Sequence, residues 1–101
     1  MRKQYSSFGE FYPDYLAEHQ DPACRRLHFA GSALVLATLG LALATRDWRW
    51  FVAVPLVGYG FAWAGHFFFE HNRPATFHSP LYSLAGDWVM FKEMLTGKIR
   101  F

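Results

Sequence analysis

A chain of 101 residues that is 52% hydrophobic and 20% aromatic is too apolar for a disordered segment and too short for more than one domain. Its net charge of +2 is spread thinly, with four bases against four acids over residues 1–28, two against one over 29–69 and four against three over 70–101. No stretch forms the basic stripe that nucleic-acid binding needs, and the single cysteine, Cys24, excludes an intrachain disulfide or an all-cysteine zinc site.

Residues 1–21 predict an amphipathic helix, because Phe8, Phe11, Tyr12, Tyr15, Leu16 and His19 recur at helical spacing. Ser7 and Glu10 are placed for a capping box, and Pro13 predicts a kink or a fresh start. Asp21-Pro22 supplies an N-cap and a first-turn proline for a helix over 22–45. Within it, Phe29 to Thr45 is 17 residues without a charge, and no cleavage motif marks the run as a signal peptide. Only Arg46, Asp47, Trp48 and Arg49 separate it from a second uncharged run of 20 residues, Trp50 to Phe69. The two runs span about 26 and 30 Å as helices, close to the thickness of a bilayer's hydrocarbon. The second membrane helix, 48–73, takes Asp47 as N-cap, is kinked by Pro55 and stops before Pro74, while Gly58, Gly60 and Gly65 permit close helix approach.

A last helix over 79–97 opens at Ser79-Pro80 and stops at Gly97. Leu81, Leu84, Trp88, Phe91 and Leu95 form its apolar side, with Asp87, Lys92 and Glu93 as exceptions. It either lies in the headgroup region, as the first helix can, or re-enters the bundle. The expected fold is therefore all-α: a small integral-membrane helical bundle in a single domain over 1–101, a transmembrane hairpin flanked by two amphipathic helices. The flanks hold eight bases against two in the connecting loop, which places both termini in the cytoplasm.

Five histidines stand out in so apolar a chain. His19 ends the first stripe, His28 lies one turn after Cys24, and His66 sits inside the second apolar run, four residues before Glu70. In an antiparallel hairpin the start of one helix lies beside the end of the other, so His28 and His66 share a membrane depth and His19 can fold back to them. Each is either satisfied by a nearby carbonyl or joined to the others around a metal; three converging imidazoles beside a carboxylate favour the metal. Iron, zinc and copper all suit such a donor set. His71 and His78 flank the loop Asn72 to Thr76 and read as surface residues. Cys24 reads as a packed side chain. Asp87 either holds a ligand histidine's second nitrogen or lies exposed on its helix. Arg25, Arg26 and Arg73 gather at the same interface, facing lipid headgroups or clamping a substrate carboxylate.

Several blocks occur in order: Glu18-His19, Cys24-Arg25-Arg26-Leu27-His28-Phe29, Trp63-Ala64-Gly65-His66-Phe67-Phe68-Phe69-Glu70, Asn72-Arg73-Pro74-Ala75-Thr76-Phe77 and Pro80-Leu81-Tyr82-Ser83-Leu84. In this arrangement the chain resembles the bacterial branch of the 2-hydroxy fatty acid dioxygenase family, from about Phe8 to Gly97. The resemblance implies a multi-pass enzyme of the bacterial inner membrane that uses Fe(II) and O2 to shorten a 2-hydroxy fatty acid by one carbon, a step of fatty acid alpha-oxidation. It implies His19, His28 and His66 as metal ligands, and Glu70, within the shared Gly-His-x-x-x-Glu pattern, as a catalytic residue. Glu70 would then be a fourth ligand, a base for the 2-hydroxyl or a partner to a ligand; His71, Asp87 and water are the other candidates for the fourth position. Arg73, or else Arg25 or Arg26, would steer the substrate carboxylate, with the acyl chain along the apolar helices. Two readings of other classes compete: a haem or electron-transfer protein with His28 and His66 as axial ligands, and a non-catalytic membrane scaffold.

Overall fold

Residues 5–101 are described by the computed structural model of the protein, and residues 1–4, the start of the expected first helix, lie outside the described residues. The described chain is all-α. Helix α1 covers Phe8–Ala17, shorter than the stripe alone suggested, because Ser7 caps it at one end and Glu18 leaves helical geometry at the other. The Ser7 hydroxyl accepts the Glu10 amide at 3.3 Å. The capping box is only half formed, since the Glu10 carboxylate accepts from the Ser6 hydroxyl instead of reaching back to its cap. Pro13 neither ends nor restarts α1. The carbonyl it leaves without a donor belongs to Gly9, which is exposed and can be solvated.

Helix α2, Pro22–Thr45, starts where Asp21 accepts the Ala23 amide at 2.8 Å and ends at Arg46, which takes a left-handed conformation at φ 55°. Helix α3, Arg49–Gly65, begins one residue later than its cap signal implied: Trp48 occupies the cap position, and Asp47 reaches past it to accept the Arg49 amide at 3.0 Å. The helix runs unbroken through Pro55. It then widens into a single π-helical turn, His66–Glu70, and the chain stops being helical at His71 (φ 58°) rather than at residue 73. A 3-10 turn, Ala75–Phe77, leads to helix α4, Pro80–Leu95. Ser79 stands at the α4 cap position, but its hydroxyl partners His78 Nδ1 at 2.9 Å instead of capping the helix.

Helices α2 and α3 form an antiparallel hairpin held by close approaches at glycine. A Cβ on Gly31 would stand 2.8 Å from Phe61 Cβ, one on Gly58 3.2 Å from a Val35 methyl, and one on Gly65 2.9 Å from the Cys24 sulfur. Gly60, by contrast, faces open space and takes no part. The buried side of α2 is small or polar (Cys24, His28, Gly31, Val35, Thr38, Ala42), and its larger leucines point outward. The segments Pro22–Thr45 and Arg49–Glu70 are each long and apolar enough to cross a membrane.

The two flanking helices pack on each other over one end of this hairpin, with Phe11 and Tyr15 of α1 meeting Met90 and Met94 of α4 and Ala75 between them. Gly86 makes that approach possible, since a side chain there would lie 3.1 Å from the Tyr15 ring. Helix α4 therefore joins the bundle, also stacking Phe91 on Phe29 of α2 with ring centroids 4.8 Å apart. Its buried side is Ser83, Gly86, Met90 and Met94, whereas Leu81, Leu84 and Leu95 of the expected apolar side are exposed. The apolar side of α4 is thus divided: Leu81 and Leu95 face outward, and Phe91 packs on α2.

Candidate metal centre

His19 follows the last turn of α1, His28 lies in the second turn of α2 and His66 opens the π turn after α3. The antiparallel hairpin sets His28 beside His66, and the packing of α1 on α4 folds His19 over both. All three are buried, and their candidate ligand atoms lie within 4.8 Å of one another. The rings meet edge to face, with centroids 4.5 Å apart for His19 and His28, 4.4 Å for His19 and His66, and 5.0 Å for His28 and His66.

The hydrogen bonds fix which nitrogen of each ring carries the proton. His19 Nδ1 lies 2.6 Å from the Tyr15 carbonyl oxygen, His28 Nδ1 lies 2.9 Å from the Cys24 carbonyl oxygen, and His66 Nδ1 lies 2.6 Å from Asn72 Oδ1. The two backbone oxygens can only accept, and Asn72 presents its amide oxygen to His66 because its Nδ2 donates to the Glu18 carbonyl at 3.1 Å. Each Nδ1 is therefore a donor, and each Nε2 is left with an unprotonated lone pair. His19 Nε2 and His28 Nε2 nevertheless face one another at 3.2 Å. A proton between them would require an imidazolium, yet burial, followed by the neighbouring His28 and His66, pushes the His19 pKa down to about 2.

Two buried acceptors at this distance are an unsatisfied pair unless a cation lies between them. Two nitrogens each about 2.1 Å from one metal lie about 3.0–3.4 Å apart for angles between octahedral and tetrahedral, which brackets the observed separation. The donor set fits a metal ion: three neutral imidazoles, their outer nitrogens anchored and their inner ones free.

The family model described as 2-hydroxy-palmitic acid dioxygenase Mpo1-like matches residues 5–99. The chain belongs to this family. No curated protein and no solved structure matches the chain significantly.

The remaining residues singled out in this Mpo1-like chain fall into place around the histidines. Glu70 is not grouped with them: its carboxylate accepts the Asp21 amide, tying the end of the π turn to the start of α2. Glu70 closes the π turn that His66 opens. Asp87 neither contacts a histidine nitrogen nor lies exposed; it accepts the Tyr15 hydroxyl, and the Tyr15 ring stacks on His19 with centroids 4.0 Å apart. Burial raises the Asp87 pKa to about 6, against the lowering effect of the Tyr15 hydroxyl. Cys24 is buried against Gly65, as a packed side chain. His71 is exposed and His78 half-buried.

Arg26 is committed elsewhere, donating from Nε to the Phe101 carbonyl at 2.9 Å. Arg73 is exposed. Among the described residues the Nε of Arg25 is buried without a partner, and the charge of Arg25 contributes to lowering the His19 pKa. Sequence reasoning missed Asn72 and Tyr15 as the residues that hold His66 and His19. An asparagine just past a helix end signals a C-terminal turn, but nothing in its spacing announces a bond to His66.

A cavity of about 340 Å³ opens beside the histidines between α2, α3 and α4. His28 and Asp87 border it at one end, and Leu39 and Val54 at the other. His19 packs against both His28 and His66, so a macrocycle held between those two rings would have to displace it.

Proposed function

We propose that the protein is a membrane-embedded, Fe(II)-dependent dioxygenase that shortens 2-hydroxy fatty acids by one carbon with O2. The observation that carries this reading is the facing pair of unprotonated His19 and His28 Nε2 atoms, with His66 as the third donor. The family supplies the reaction class and the kind of substrate. His19, His28 and His66 hold the ion, which when bound supplies a Lewis-acid and redox centre for O2 and the C1–C2 bond.

The other side chains position and shield. Asn72 keeps His66 in its Nδ1–H tautomer and fastens it to the loop that carries His19. Tyr15 does the same for His19 through its carbonyl and ring, and is itself held by Asp87. Glu70 acts as a positioning residue that secures the start of α2, four residues after which the chain reaches Arg25 and then His28. Of the candidate arginines, Arg25 is the better receiver of the substrate carboxylate, since its buried Nε has no partner among the described residues; exposed Arg73 steers the carboxylate inward. The length and apolar character of the two hairpin helices support a site within a bilayer, and the excess of flanking bases supports both termini on the cytoplasmic side of a bacterial inner membrane.

The test is anaerobic loading of the purified protein with Fe(II) and 2-hydroxyhexadecanoic acid, followed by O2 and analysis of product chain length. A product one carbon shorter is expected, and His66→Ala should lose both iron retention and turnover. Full turnover in that variant would overturn the assignment.

A further inference from the structure

The cavity bordering His28 is polar at one end only. His28, Asp87 and Ser32 lie toward one end, and beyond them the walls are apolar, through Val35 and Gly58 to Leu39 and Val54. Its volume of about 340 Å³ lies within the range of small-ligand sites. The antiparallel register puts Leu39 of α2 beside Val54 of α3, eleven residues along α2 from His28. At 1.5 Å per residue that is about 16 Å, near the ~15 Å depth of hydrocarbon in one leaflet. A single lipid tail has that length. The outer surface of the hairpin is itself apolar, so a bulk lipid tail gains nothing by choosing this cavity; what sets it apart is the polar end next to the candidate metal ligands.

We propose that this cavity holds the acyl chain of the substrate, which leads from the head group at the candidate metal ligands past His28 and Asp87 to a methyl end against Leu39 and Val54, which together set the longest chain accepted. The inference rests on the dioxygenase reading for the identity of the head group. The cavity itself is independent of any metal.

Two measurements test it. In the first, chelator-treated wild-type protein is photolabelled with a 2-hydroxy fatty acid carrying a diazirine near its methyl end. Adducts at Leu39 and Val54, competed by 2-hydroxyhexadecanoic acid, are expected. Adducts confined to outward leucines such as Leu36 and Leu43, or adducts beside His28, overturn the placement or its direction. In the second, Val54→Trp fills the far end, and Val52→Trp adds the same bulk to the exposed side of α3. Val54→Trp should lower kcat/KM for 2-hydroxyhexadecanoic acid by about tenfold and for 2-hydroxydecanoic acid by less than about twofold, with no change of preference in Val52→Trp. An unchanged chain-length profile in Val54→Trp overturns the length limit.

The two readings fail separately. Turnover with adducts only on the outer surface overturns the cavity and leaves the dioxygenase intact. Competed adducts at Leu39 and Val54 without turnover uphold the cavity as an acyl site and overturn the dioxygenase.

Discussion

Asn72 decides the state of the least constrained histidine. His19 and His28 donate to carbonyls four residues back, bonds that a helical chain offers freely, whereas His66 depends on one side-chain oxygen. Replacing Asn72 with Leu removes that acceptor and the tie to the Glu18 carbonyl together. Metal affinity should fall by about 10–100-fold, read by competition with a chelator of known affinity, while the helical circular dichroism stays unchanged. Asp87 calls for a different measurement. Its pKa is raised from 3.8 to about 6, so between those values the folded protein holds a proton that the unfolded chain has lost. The stability this contributes is complete below pH 3.8, declines as pH rises toward 6 and is absent above. Asp87→Asn keeps an acceptor for the Tyr15 hydroxyl and removes the titration. In metal-free protein its melting temperature relative to wild type should rise between pH 4 and pH 6 and then level off. A difference that stays flat across this window would contradict a buried carboxyl here.

At the scale of helices, the hairpin is where sequence was most legible. Asp21-Pro22 fixes the start of α2, two uncharged runs joined by four residues leave little choice but an antiparallel pair, and that pair dictates that His28 meets His66. Three features escaped for physical reasons. The bond that ties the Glu70 carboxylate to the Asp21 amide is tertiary, and so is the hydrogen bond that His66 Nδ1 donates to the Asn72 amide oxygen. The packing side of α4 is the third: the helix was open to lying in the headgroup region or entering the bundle, and it enters through Ser83, Gly86, Met90 and Met94 rather than through its leucines, with small residues allowing the closest approaches. The glycines test that last point. Gly65→Ala forces a Cβ to 2.9 Å from the Cys24 sulfur and 3.1 Å from its Cα, a backbone contact that cannot rotate away. It should cost about 1–3 kcal/mol and weaken metal binding, since it parts α2 and α3 next to His66. Gly60→Ala meets nothing within 4 Å and should be neutral or stabilising by up to about 1 kcal/mol through helix propensity. Thermal melts of the two variants in one detergent compare them directly, and equal destabilisation would mean that close packing at Gly65 is not what holds the hairpin.

Across the molecule the flanking helices bury large side chains, Phe11, Tyr15, Met90 and Met94, and the hairpin does the reverse. Its Leu43, Leu56 and Phe68 are each more than 70% exposed, while its buried sites are Cys24, His28, Gly31, Val35, Thr38, Ala42, Ala62, Gly65 and His66. Exposed apolar side chains of this size and number support the proposed placement in lipid. The aromatic residues agree: Trp48 and Trp50 stand exposed near one end of the hairpin and Phe67, Phe68 and Phe69 near the other. From Trp50 to Phe68 is about 27 Å of helix, close to the ~30 Å hydrocarbon thickness that interfacial aromatics flank. If the hairpin spans, the loop at Trp48 must lie on one side of the membrane and the histidine end, with α1 and α4, on the other. Single cysteines in a Cys24→Ala background distinguish this from a hairpin lying flat. Both Trp48 and Lys98 are exposed, so Trp48→Cys and Lys98→Cys leave packed contacts intact. A membrane-impermeant maleimide applied to intact spheroplasts should label Trp48→Cys alone, with Lys98→Cys labelled only after the membrane is opened. Labelling of both from the same side would rule out a spanning hairpin, and with it the bilayer-depth argument that matches the cavity to one lipid tail.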